Sequence, residues 1–124
     1  MSNVKFSYLY RDGSNFKRWA AVVFSNPDRL PRPTIADVIS GSLDQEGMFM
    51  AHQVRIPEVF LYDGPNANAD DHCYHEFFEV DLTSEAPTDR FKRSIGEFIA
   101  EFRAQAHRGW LPFDPFDRRL RERS

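Results

Sequence analysis

Residues 4 to 24 constrain the fold most. Val4, Phe6, Tyr8 and Tyr10 alternate with Lys5, Ser7 and Arg11, the period-2 pattern of a strand with one buried face, broken on the polar side by Leu9. Asp12-Gly13-Ser14-Asn15 follows, residues that tolerate positive φ or bond their own backbone, and a second strand-like run occupies Phe16 to Phe24. The reading is a β-hairpin. In its second strand Phe16, Arg18, Ala20, Val22 and Phe24 share one face and Lys17, Trp19, Ala21 and Val23 the other, so both faces are expected to be partly covered.

A hairpin alone is marginal in water and needs further elements against its apolar face. Prolines 27, 31 and 33 interrupt regular structure after the second strand. Thr34 then reads as an N-cap, with Asp37 as a variant capping box and Ile35, Val38, Ile39 and Leu43 at helical spacing, giving a helix over about 34–44. After a turn at Gly47, Met48, Met50, His52 and Val54 alternate with Phe49, Ala51, Gln53 and Arg55 as a third strand. A fourth runs from Cys73 to Leu82, with Tyr74, Glu76, Phe78, Val80 and Leu82 expected on the core side. Thr88 or Asp89 is expected to cap the last helix, whose apolar stripe is Phe91, Ile95, Phe98, Ile99 and Phe102 and whose end is Gly109. Gly96 lies within it, where close packing against the sheet is expected. These elements predict an α+β fold: an antiparallel sheet of about four strands in β-β-α-β-β-α order, with helices packed on one face.

The chain has 124 residues, which suits one domain, and twelve Phe furnish its core. Residues 1–109 are expected to form that domain. Residues 110–124 are a tail in which Trp110, Phe113 and Phe116 alternate with prolines and are expected to pack on the domain or on a partner. The chain has no N-terminal leader pattern, no apolar run long enough for a membrane span and Cys73 as its only cysteine, features expected of a soluble cytoplasmic protein without membrane contact. A net charge of −3 disfavours general attraction to nucleic acid.

Chemistry is best sought in Asp70-Asp71-His72-Cys73-Tyr74-His75-Glu76. Asp70, His72 and Glu76 would share one side of a strand and supply donors suited to a divalent metal, the one cofactor the sequence suggests, although the spacing matches no established metal motif. Asp71, Cys73 and His75 would share the other side, where a neighbouring imidazole can activate a thiol. His52 and Glu76 interrupt apolar faces on adjacent strands. As a buried pair, with His75 nearby, they would have shifted pKa values suited to acid–base catalysis.

The chain contains no phosphate-binding loop. Arg90, Lys92 and Arg93, with Arg118, Arg119, Arg121, Arg123 and the aromatics Trp110 and Phe113, suggest a third class, a single-stranded nucleic-acid binder. The leading expectation is a non-catalytic interaction or accessory module that uses the aromatic tail and the hairpin edge for self-association or a protein partner. The alternative is a small metal-assisted or acid–base hydrolase built on Asp70–Glu76.

Overall fold

The computed structural model describes residues 2–62 and 66–115. Its α+β fold has a four-stranded antiparallel sheet, β1 (Asn3–Arg11), β2 (Lys17–Phe24), β3 (Met48–Phe49) and β4 (His75–Thr83), in the order β2-β1-β4-β3. Two helices accompany it, α1 (Arg32–Ser40) and α2 (Ile95–Arg108). The hairpin forms as the alternation predicts. Asp12 Oδ1 accepts the backbone N–H groups of Ser14 and Phe16, and Asn15 takes the left-handed conformation at φ 70°.

The third strand is far shorter than the alternation suggests. It ends at Phe49, and Ala51–Val54 form a 3-10 turn closed by Arg55 in the left-handed region. His52 therefore sits on a turn outside the sheet. Burial decides this: Phe49, Met50, Ala51 and Val54 are all enclosed, and a straight strand would point half of them outward.

β4 carries the other large departure. Its register with β1 runs from Ser7↔Glu79 to Tyr8↔Phe77, which leaves Phe78 without an opposite residue, a β-bulge. The extra residue reverses the alternation, so that His75 and Phe77 on one side of it and Val80 on the other face the helices. Of the five residues expected on the core side, only Val80 is buried; Phe78 and Leu82 are exposed.

α1 begins at Arg32 with a proline in its first turn, where the missing N–H would have no partner in any case, so Thr34 lies inside the helix instead of capping it. It ends at Gly41, whose N–H donates to the Asp37 carbonyl. α2 starts seven residues beyond Thr88, with Ser94 as its N-cap. Ser94 Oγ accepts the Glu97 N–H at 3.1 Å and Glu97 Oε1 accepts the Ser94 N–H at 3.0 Å, a full capping box. Phe91 precedes the helix and is exposed. Ile95, Phe98, Ile99 and Phe102 are buried at about 1.5–3 kcal/mol each, which outweighs the cost of about 1 kcal/mol for Gly96 within the helix. Gly96 abuts Asp28 and Leu30 of the loop before α1 instead of the sheet.

The helices cover the face bearing Val4, Phe6 and Tyr8. Phe24 stacks on Phe98 with ring centroids 4.3 Å apart, and Phe6 meets Phe98 and Phe49 at 5.2 and 5.7 Å.

Candidate functional site

The Asp70 stretch is tied to the hairpin by Tyr10, whose ring is fully buried at the end of β1. Its hydroxyl donates to Asp71 Oδ1 at 2.7 Å and accepts the His72 N–H at 3.2 Å. Burial, followed by the bond to Asp71, holds the Tyr10 phenol well above its ordinary pKa. The same ring packs against His72, His75, Phe60 and Tyr62 at centroid distances of 4.9, 6.0, 5.1 and 5.8 Å. The knot fastens the loops before β4 to β1.

Each imidazole has a defined position. His72 Nε2–H donates to the Arg11 carbonyl at 2.6 Å while Nδ1 accepts the Tyr74 N–H at 3.0 Å, so both nitrogens are engaged. His75 is fully buried and its Nε2 accepts the Val59 N–H at 2.9 Å. Its proton is therefore on Nδ1, which lacks a hydrogen-bond partner among the described residues. Burial pushes the His75 pKa down to about 4. His52 Nδ1 pairs with Glu58 Oε2 at 3.3 Å beside the Phe113 ring.

The carboxylates point elsewhere. Asp70 Oδ2 accepts the Ser14 hydroxyl at 2.7 Å and its carbonyl accepts the Gly13 N–H, fixing the hairpin turn. Glu76 accepts from Arg11 Nε and Nη2 at 3.3 and 3.2 Å, on the sheet face away from the helices. Asp70 is thus held by Ser14, His72 by the Arg11 carbonyl and Glu76 by the Arg11 guanidinium, and among the described residues no three His, Cys, Asp or Glu side chains come together to hold a metal ion. His52, His75 and Glu76 likewise occupy a turn, the core and the outer face. The acid beside His52 is Glu58, which its position after Pro57 gave no reason to choose. Cys73 is buried.

In the tail, Trp110 packs edge-on to Phe102 at 5.2 Å and donates from Nε1 to the Ser42 carbonyl at 3.2 Å, while Phe113 lies against His52 and Phe60. Phe116 and the arginines from 118 onward lie outside the described residues. Arg93 is enclosed in the core, where it bonds Asp89, Glu101 and the carbonyls of Val54 and Arg55. It therefore contributes no surface charge to a nucleic-acid patch.

The conspicuous exposed feature is on the opposite side of the sheet. Trp19 and Phe78, each 54% exposed, meet edge to face at 4.9 Å, and Leu9, paired with Trp19 across the sheet, is fully buried. The adjacent phenylalanines of Phe77-Phe78 were the available signal, since strict alternation cannot bury both.

β2 also has an open edge. Phe16 accepts the Asp12 N–H, which assigns the even-numbered positions of β2 to hydrogen bonding with β1 and the odd-numbered ones to the free side. Consistent with this, Val23 exchanges bonds with Thr88, and the Ser25 carbonyl accepts the Ile95 N–H. Those two positions are sealed. Lys17, Trp19 and Ala21 have no partner on that side among the described residues.

No known protein family, curated protein or solved structure matches this chain. Among the described residues no helix is long and apolar enough to cross a membrane.

Proposed function

We propose that this protein is a non-catalytic interaction module that docks an extended protein segment against Lys17–Ala21 of β2, with Trp19 and Phe78 as the apolar anchor. The observation that carries the reading is the coincidence on β2 of three backbone positions unsealed among the described residues with Trp19, whose exposed ring meets Phe78 of β4 across β1. An added strand gains main-chain hydrogen bonds from the edge and specificity from side chains beside it. Natural edges are commonly blunted by charge or short length, and here Lys17 and Arg18 stand at one end while Trp19 to Ala21 carry no charge.

The outer face mixes Lys5, Arg11 and Lys17 with Glu76, Glu79 and Asp81, a balance that favours a protein segment over a phosphate backbone. Trp110 and Phe113 contribute to the reading by bracing the domain, since both rings lie against its own residues.

Selection of displayed random peptides on the full chain tests the proposal. Selected peptides are expected to lose binding to Ala21→Pro, which lacks one outward N–H, and to Trp19→Lys. Failure to select any peptide, or peptides indifferent to both substitutions, would overturn it.

A further inference from the structure

We infer that the segment this edge accepts is β2 of a second copy of the same chain, paired antiparallel about a two-fold axis at Trp19. The inference rests on the docking reading above and adds the identity of the occupant. Its basis is the pattern of open and sealed positions along β2.

Three positions are open among the described residues, Lys17, Trp19 and Ala21, and the two-fold axis of an isologous antiparallel pair passes either through one of them or through the residue between two, Arg18 or Ala20. Centring on Ala21 places Trp19 opposite Val23, whose N–H and carbonyl are already bound to Thr88. Centring on Lys17 sets two ammonium groups directly opposite and brings Trp19 against Asn15, which is out of the extended conformation at φ 70°. Centring on Arg18 sets two cations directly opposite and brings Ala21 against Asn15, and centring on Ala20 brings Lys17 against the sealed Val23, so each joins two open positions, whereas the Trp19 register engages all three. It pairs Lys17 with Ala21 of the second copy, Trp19 with Trp19, and Ala21 with Lys17, each pair exchanging both of its main-chain bonds.

Charge agrees with this register. The cations Lys17 and Arg18 occupy one end of the window and Ala20 and Ala21 the other, so the two-fold arrangement sets each cation against an alanine. A parallel arrangement would stack like charges. The two indoles meet beside two Phe78 rings, joining two exposed aromatic pairs into one patch, and the sheets continue as eight strands. Thr88 acts as the stop that fixes the register.

Sedimentation velocity on the full chain, from low micromolar to submillimolar concentration, is expected to show a monomer–dimer equilibrium. Ala21→Pro removes two symmetry-related donors and should raise the dissociation constant about tenfold or more. Trp19→Glu, which leaves every backbone donor in place, should yield a monomer with an unchanged circular dichroism spectrum. Amide exchange should show concentration-dependent protection at Lys17, Trp19 and Ala21. A monomer throughout the range, or a dimer indifferent to both substitutions or without protection at those amides, overturns the pairing. If edge-dependent peptide capture persists in a strict monomer, the docking reading stands and only the second copy is lost. Loss of both removes the edge as an interaction site.

Discussion

The Val59 backbone N–H donates to Nε2 of His75 at 2.9 Å, linking the segment after Pro57 to a histidine in the core. This bond requires a neutral imidazole, because a protonated His75 would carry donors on both nitrogens. In the folded chain its pKa is lowered from 6.5 to about 4. Between those values the unfolded chain binds the proton and the folded chain does not, so stability falls as the pH drops from 6.5 towards 4 and levels off below. The loss from this group is about 3 kcal/mol. Urea unfolding across that range should show it, and His75→Phe should flatten that part of the profile; an equally steep profile in the variant would assign the pH dependence to other groups.

Arg93 and Asp89 form an enclosed ion pair, with Arg93 Nε and Nη2 each 2.9 Å from a carboxylate oxygen. Burial alone would raise the Asp89 pKa, but the Arg93 bonds prevail and hold it below the usual carboxylate value. Arg93→Ala strands that carboxylate and should cost about 3–5 kcal/mol in denaturant unfolding. Arg93→Met combined with Asp89→Asn should cost less than the sum of the two single changes, and strict additivity would exclude the coupling.

Ser94 and not Thr88 caps α2. Ser94→Ala should therefore cost about 1 kcal/mol and reduce amide protection in the first turn of the helix. Thr88→Val should leave that turn protected and expose the Val23 amide, whose acceptor is the Thr88 hydroxyl. The reverse pattern would return the cap to Thr88.

Deletion of one phenylalanine from Phe77-Phe78 removes the bulged residue and restores simple alternation to β4. The shortened chain should keep His75 in the core and its native fold by circular dichroism, while the Trp19 environment changes in near-ultraviolet spectra. Unfolding of this variant would show that the bulge is required for the sheet to close over the helices.

Trp110 fills the space beside Phe49 and Phe102 while still half-buried. Trp110→Ala should cost about 2 kcal/mol, below the range for a fully buried tryptophan. An unchanged melting temperature would mean the tail contributes no packing.

What local pattern expresses was legible in the chain. The hairpin follows from alternation plus Asp12–Asn15, the stripe of α2 from apolar residues at helical spacing, and its end from Gly109, because these depend on neighbours a few residues away. The Ser94–Glu97 box was also written there; the polar residues at 88 and 89 obscured it, and only their pairing with Val23 and Arg93 shows that they serve other ends. Tertiary structure decided the rest. A bulge at Phe78 is indistinguishable in sequence from continued alternation until β1 supplies a register, and that one residue sends Glu76 to Arg11 and His75 into the core. The 3-10 turn moved His52 away from Glu76 and beside Glu58. The open stretch of β2 stops at Ala21 because Thr88 and Ile95, some seventy residues away, bond Val23 and Ser25, a fact of hydrogen bonds between distant segments that no period along the chain can encode.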